Sequence, residues 1–556
     1  MTSCRSGPSF GAFCQLSRPR LDRVRGIGSE GSIKRLCLPE IYPTTSGAPN
    51  TYLVMDQKDE NVHLEVGLTE TTTKYERPHL GKWEEKFQDV QLPAPGTEER
   101  KRLEKKLKLK IDFAILPLVI LMYILNYLDR NNLASAKLGT IMEDLDINSS
   151  EFATAQGVLF IGYILASVPS NILLERIGKP SKYLPTAMLC WGLLSTVVGA
   201  IHNFGSLVAI RVLLGVFESA FYPGVIFYLS CWYTRREIAK RSSLFVAGSW
   251  ISGAFSGLIA YGVLDNMQGV HGKAAWRWLF IIEGVATMGV ALIALVVLPD
   301  IPATTWWLSK EEQCLGVVRM AEDVGAADDD SSGAASGEEA SAWYGLRLAL
   351  KDEKVLLFWV LLFATCVAAG VNTVFPQIVD SLGYSQAKTL LMTAPPWLLV
   401  TITSVLNAFH SDITGERFWH IVYGPSVSLI AFILGIATTK TAARYVCMML
   451  ILQIYSSYSL MYAWVVNNIP RPPVKRAAAV ALINIGANIP NIWVPYLYAT
   501  GAPHFYVGFG VCIAFLVICI SMLFVMRFHL ARLNKKLDRG EWVDGMDPAT
   551  GFRFFY

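Results

Sequence analysis

Apolar windows of about 20 residues, each long enough to cross roughly 30 Å of hydrocarbon as a helix, recur along this chain from Ile111 to Phe528. The recurrence constrains the fold more than any other feature, because one soluble core cannot absorb so many such windows. Composition agrees: 53% of the 556 residues are hydrophobic and 17% charged, whereas soluble domains run nearer a quarter charged. The expected fold class is an all-α polytopic membrane protein.

The windows fall into two groups of six. The first lie near 111–128, 154–174, 183–201, 207–232, 243–264 and 278–298; the second lie near 355–374, 390–409, 421–437, 445–466, 477–498 and 506–526. This predicts twelve transmembrane helices in two six-helix halves, 101–298 and 354–528. Residues 299–353 between them are polar and contain "DDDSSGAASGEEAS", the composition of a flexible linker. Residues 1–100 show no sustained apolar period and read as a disordered N-terminal tail, and 529–556 as a C-terminal tail. The first thirty residues carry Arg5, Arg18, Arg20, Arg23 and Arg25 against few acids, a transit-peptide-like composition. The plainer reading is a start at Met55, in "MDQKDEN".

Basic residues give the orientation. "KRLEKKLKLK" precedes the first window, "ERIGKPSK" follows the second, "TRREIAKR" the fourth, "RPPVKR" the tenth and "RFHLARLNKK" the twelfth. If all lie in the cytoplasm, both tails and the linker are cytosolic and the number of spans is even. The net charge of +4 is small and implies no nucleic-acid partner. The ten cysteines are scattered singly, with no CxxC pair and no disulfide framework.

No GxxxxGK[ST] phosphate cradle is present, since Gly272-Lys273 lacks the first glycine and the Ser/Thr, and no HExxH zinc pattern occurs. Neither enzyme, cofactor nor metal site is expected. Without an ATP-hydrolysing apparatus, twelve spans in two halves point to a transporter driven by a gradient, with its substrate site between the halves.

Ionisable residues inside spans then carry the chemistry, because hydrocarbon makes each of them costly. Asp129 and Arg130 end the first span. Arg211 and Glu218 lie seven residues apart on the fourth, two turns and hence one face. Acid and base on each helix can neutralise one another when the site is empty, and a proton on a carboxylate would free an arginine for an anion. The bland alternative is that the arginines snorkel and the acids are static partners. Glu283, in "WRWLFIIEGV", reads as a structural bridge to Arg277 or as a further functional acid. Asn126, Tyr127, Asn372, Gln377 and Trp397 are candidate substrate contacts from the first, seventh and eighth spans. Interhelical polar bonding explains the amides equally well. Gly253 and Gly257 predict close helix packing, and Pro223, Pro376, Pro395, Pro396, Pro490 and Pro495 predict kinks.

At "NYLDRNNLASAK", "NILLERIGKPSK", "RVLLGVFESAFYPG" and "WRWLFIIEG" the chain resembles a major facilitator superfamily transporter of the anion:cation symporter family, in its fungal branch. The resemblance covers about Lys101 to Glu541. In the second half, "LLMTAPPWLL", "HSDITGERFWHI", "NNIPRPPVKRAAAVALIN" and "LNKKLDRGE" resemble the allantoate and nicotinate permease-like members. The superfamily's gating loop GxxxDRxGRR appears at Glu175, Arg176, Gly178 and Lys179, with Asn171 in place of the first glycine. Its counterpart keeps Asp412, Gly415 and Arg417 but has Ile413 at a basic position. The resemblance implies anion binding and proton coupling at Asp129, Arg130, Arg211 and Glu218.

The resulting expectation is proton-coupled uptake of a small organic anion, a nicotinate- or vitamin-like carboxylate, by a monomer in the lipid bilayer of the plasma membrane. Efflux of a secondary metabolite is the runner-up, though the fifth span "GSWISGAFSGLIAYG" lacks the proline usual in drug antiporters. A non-transporting nutrient sensor is the third reading.

Overall fold

Residues 83–328, 342–469, 473–502, 504–543 and 553–556, with 78, 80, 52–53 and 66–67, are described in a computed structural model. Met1–Glu76 forms one unit, in which β1 (Tyr52–Leu53) and β2 (Val66–Gly67) pair antiparallel, Tyr52 opposite Gly67. The expected disorder of 1–100 falls largely outside the described residues.

The second unit is helical. Its spans are α1 (Glu98–Ala136), α2 (Ser149–Ile177), α3 (Pro180–Val198), α4 (Phe204–Ser230), α5 (Arg235–Asn266) and α6 (Ala275–Val297). The second six are α7 (Glu353–Asp380), α8 (Gln386–Thr414), α9 (Phe418–Ala437), α10 (Thr441–Asn468), α11 (Ala478–Tyr498) and α12 (Tyr506–Asp538). Eleven of these are long and apolar enough to cross a membrane. The twelfth, α3, is 19 residues long, and Ser181 and Lys182 in its first turn dilute its apolar character.

Local chemistry sets the ends. Thr97 caps α1 by accepting from the Arg100 N–H. Asn148 and Glu151 form a reciprocal capping box at the start of α2, satisfying N–H groups that the first turn leaves open. Four spans are interrupted. Between Phe204–Glu218 and Phe221–Ser230, α4 breaks at Ser219 and Ala220, while α7, α10 and α11 pass through 3-10 turns at Gly370–Val374, Leu452–Ser457 and Val494–Tyr498. Pro223, Pro376, Pro490 and Pro495 fall in the first turn of a new helical piece, where a missing N–H costs nothing. Pro395 and Pro396 instead lie inside the unbroken α8.

The halves meet where α5 packs on α8 and α2 on α11. Here the expected close packing at Gly253 and Gly257 is explicit. A Cβ at Gly253 would lie 2.5 Å from the Trp397 ring, and one at Gly257 would lie 2.0 Å from Thr393 Oγ1 and 2.7 Å from Leu390 O. Polar contacts across the same end join Lys137 to Gln377 (3.3 Å), Gln156 to the Thr373 carbonyl (2.7 Å) and Tyr496 to Thr154 (2.8 Å). This sealed end carries the α1–α2 and α7–α8 connections and lies opposite the basic loops.

The region between the halves differs from the expected structureless linker. Helix Lys310–Asp328 forms behind a capping box, with Ser309 Oγ accepting from the Glu312 N–H and Glu312 accepting from the Ser309 N–H. Cys314, Leu315 and Val318 bury its inner face. Residues ahead of α1 pack there too, Phe87 meeting Ala303, Cys314 and Val318, so order begins before residue 100. Helix Ala342–Lys351 precedes α7, and the low-complexity 329–341 lies outside the described residues.

The C-terminal tail is also anchored. Asn468 donates to the Phe555 carbonyl (3.2 Å) and accepts from its N–H (3.0 Å). Asn534 does the same for Phe554, at 2.9 and 2.8 Å. Two buried side-chain amides thus hold consecutive backbone units as a neighbouring strand would.

Candidate functional site

The four charged residues gather inside the first half, but not in the pairs their sequence spacing suggests. Arg130 Nε on α1 donates to Glu218 Oε2 on α4; Glu218 is buried and Arg130 keeps 15% of its side chain exposed. The Arg130 guanidinium also lies over the rings of Tyr127, at 5.2 Å, and Tyr163, at 5.0 Å. Two π-faces and one carboxylate replace the water it has lost.

Asp129 points elsewhere. Ser195 Oγ on α3 donates to its Oδ1 at 2.8 Å, and Thr287 Oγ1 on α6 to its Oδ2 at 3.1 Å. It has no arginine partner. Arg211 donates from Nε to the Ala155 carbonyl on α2 at 3.1 Å, and its buried Nη1 has no partner. Glu218 Oε1 is likewise buried and unfilled. Arg211 stands within the field of Glu218, Arg130 and Asp129. A buried donor and a buried acceptor left open in one cluster are what a polar ligand would satisfy.

The break in α4 positions this cluster. Glu218 ends the piece Phe204–Glu218, so its carboxyl stands at a discontinuity in the middle of the span. Close contact of α2 with α4 aligns the rest: a Cβ at Gly215 would lie 1.9 Å from Leu159 O, and one at Gly162 would lie 2.2 Å from Val212 O. Only glycine lets the two backbones approach this far.

The candidate substrate contacts divide. Asn372 and Trp397 line a small pocket with Asn131, Ser256 and Thr393, beside the glycines of α5. Tyr127 belongs to the Arg130 cluster, edge-on to Tyr123 at 5.0 Å. Asn126 is buried with its Nδ2 unpartnered, and Gln377 accepts from Lys137. Glu283 forms no bridge to Arg277, whose guanidinium donates to the carbonyls of Gly199 (3.3 Å) and Ile201 (2.6 Å).

Two sets of residues were missed from the sequence. Tyr163, Ser195 and Thr287 complete the shells of Arg130 and Asp129 and carry no local signal. Tyr455, Tyr458 and Tyr462 on α10 do carry one, because spacing of three and four places them on one helical face. They are half-buried, Tyr455 lies 5.5 Å from Trp397, and Tyr462 feels Tyr163 and Tyr222 of the first half.

The gating-loop residues occupy matching places in the two halves. Gly178 follows α2 at φ 62° and Gly415 follows α8 at φ 67°, each turning the chain through the left-handed region as a helix C-cap. Arg176 and Asp412 are exposed. Arg417 lies 5.4 Å from the Phe555 ring; the Glu175 side chain lies outside the described residues.

Twelve helices in two packed sets of six, with a charged cluster inside the bundle, define a multi-pass membrane transporter. The chain belongs to the major facilitator superfamily, whose family model, described as Major Facilitator Superfamily, matches residues 119–495. It is 32% identical over 457 residues to an uncharacterized transporter of Schizosaccharomyces pombe, covering 81% of this chain and 92% of that one. With the major facilitator-type transporter hxnP of Emericella nidulans it shares 32% over 437 residues, covering 74% and 84%. Among solved structures it is similar to the xylose transporter XylE from E. coli in a partially occluded inward open conformation, with TM-score 0.59, 14% identity and coverage of 75% and 98%. A bacterial homologue of the lysosomal transporter Spinster, inward-facing and unoccupied, gives 0.57 at 16%, covering 79% and 99%. These two show the fold. The protein is a secondary transporter and not an enzyme.

Proposed function

We propose that this chain imports a small, planar organic carboxylate across the plasma membrane together with protons, as a member of the allantoate and nicotinate permease-like branch. The observation that carries the reading is the unequal state of the two arginines inside the first half. Arg130 is neutralised by Glu218, while Arg211 keeps an unfilled buried N–H. A carboxylate is the ligand a guanidinium fork matches best.

Protonation of Glu218 removes the charge that holds Arg130. Arg130 then joins Arg211 in receiving the anion, and release of the anion lets Glu218 give up its proton and take Arg130 back. Cation and anion therefore cross together. Tyrosine rings from both halves, Tyr127 and Tyr163 on one side and Tyr455 and Tyr462 on the other, suit a flat ring over an aliphatic chain. With the basic loops in the cytoplasm, the sealed end faces outward. The 101–298 and 354–528 halves would rock about the α5–α8 and α2–α11 seams in a monomer.

Arg211→Lys tests this reading in membranes carrying equal amounts of protein. Lysine keeps the charge and loses the planar fork. Loss of one charge-assisted bond worth about 1.5–3 kcal/mol predicts roughly 10- to 150-fold weaker binding of the substrate found in a carboxylate panel. Unchanged affinity would remove Arg211 from the site.

A further inference from the structure

Glu283 stands on α6 apart from the arginine cluster. It is 3% exposed and neither of its carboxyl oxygens has a hydrogen-bond partner. Asn132 on α1 is 0% exposed, and both its Nδ2 and its Oδ1 are also without partners. Four unpaired polar atoms in two fully covered side chains carry a large desolvation cost, which native interiors avoid unless the site has a use.

The two side chains meet through helix register. Thr287 donates to Asp129 and fixes α6 against α1 at that level. The first and sixth spans run in opposite directions, so one turn forward on α1, from Asp129 to Asn132, matches one turn back on α6, from Thr287 to Glu283. Asn132 and Asp129 are accordingly the polar groups that act on Glu283. The helices α3 and α5, which also pack on α6, bring no other charge to it, and Arg277 on the same helix is engaged with backbone carbonyls. Water is kept away on the far side, because a Cβ on Gly284 would lie 2.3 Å from Thr196 Oγ1 and 2.7 Å from Gly192 O.

We infer that Glu283 and Asn132 form a second proton-binding site, separate from the Arg130–Glu218 pair. The donor and acceptor inventory selects the occupant. An ionised carboxylate only accepts, so it would take one bond from Asn132 Nδ2 and leave Oδ1 unpaired. A carboxylic acid donates its O–H to Oδ1 and accepts from Nδ2 with its carbonyl oxygen, closing both bonds at once. Loading forms one O–H bond on Glu283; unloading returns that proton to water or to the Asp129 carboxylate three residues before Asn132. The site extends the proton-coupled reading above and rests on it. One transport cycle would then move more than the single proton that Glu218 carries.

Infrared difference spectroscopy on the full chain in lipid nanodiscs, between acid and alkaline buffer and without substrate, reads the carbonyl stretch of protonated carboxylic acids directly. The parent protein should lose two components as the pH is raised. Glu283→Gln should remove one of them and Glu218→Gln the other, and Asn132→Leu should move the Glu283 component to higher frequency by deleting its donor. Size-exclusion profiles matching the parent establish that each variant is folded. A Glu283→Gln spectrum identical to the parent, with the Glu218 component still titrating, overturns this inference and leaves the proposed function standing. Absence of both components removes the proton reading of both sites. Loss of the Glu283 component on adding sodium chloride at constant pH would make the occupant a sodium ion and overturn the assignment of a proton.

Discussion

Arg130 and Glu218, 88 residues apart in the chain, form a largely buried ion pair between α1 and α4, while Asp129 beside Arg130 faces α3 and α6. Neighbouring side chains on a helix diverge by about 100°, so one short stretch serves two clusters. A buried pair of this kind contributes little net stability. Its retention in the bundle interior fits a switch better than a brace.

Glu218→Gln should therefore separate coupling from transport. Glutamine keeps the shape but cannot lose a proton, which leaves Arg130 permanently released. In vesicles, accumulation driven by an imposed pH gradient is expected to disappear while exchange of internal for external substrate persists. A variant that still concentrates substrate on a proton gradient would take Glu218 out of the mechanism. Arg130→Ala should instead abolish binding, because the anion loses a charge-assisted partner.

The bundle was legible because hydrophobic repetition is a long-range signal that needs no partner to be read. The site was legible only as a set of costly residues. Asp129, Arg130, Arg211 and Glu218 announce themselves by charge, but which acid meets which base depends on helix rotation that no linear spacing encodes. Tyr163 and Ser195 look like ordinary lining until Arg130 and Asp129 are seen to lean on them. The linker was misjudged for another reason: average composition over 299–353 hid the Ser309-to-Glu312 capping box, a local signal that predicts a helix start.

Gly257 holds α5 against α8 at the sealed end. Gly257→Val places a branched side chain where Thr393 Oγ1 and Leu390 O already stand, at 2.0 and 2.7 Å from the new Cβ. The backbone oxygen cannot swing aside, so closure of this end is expected to fail and the opposite conformation to gain population. In a background without native cysteines, Asn372→Cys should then react faster with a membrane-impermeant thiol reagent added outside. An unchanged rate would mean that the seam does not gate the cavity.

Asn468 tests the anchored tail. Asn468→Ala leaves the Phe555 N–H without the partner it has at 3.0 Å, while the Phe555 carbonyl keeps the Trp464 indole N–H at 2.7 Å; one unmet group of this kind costs about 1–3 kcal/mol. The tail should detach while the bundle stays folded. Trypsin cleavage after Arg553 is expected to quicken at least several-fold, with transport changed less than cleavage, and Asn534→Ala should act the same way. Equal cleavage in parent and variants would show that the two asparagines do not hold the tail.

The linker helix Lys310–Asp328 should loosen in acid. Burial pushes the Glu312 carboxyl up, but its hydrogen bond to Lys110, at 2.5 Å, and the Ser309 N–H pull it down further, leaving it below its ordinary value of 4.5. At the exposed end of the same helix, the hydrogen bond from Lys310, at 2.6 Å, lowers Asp89 as well. A carboxyl depressed in the folded state contributes stability that is fully present above its unfolded value and is lost as the pH falls through the folded one. Hydrogen exchange across 310–328, corrected for intrinsic rates, is therefore expected to lose protection between about pH 5 and pH 3, with α8 unchanged over the same range. Lys110→Met removes the ion that depresses Glu312, so protection should be lower at neutral pH and its acid dependence shallower. The same steep acid loss in Lys110→Met would assign the effect to another group.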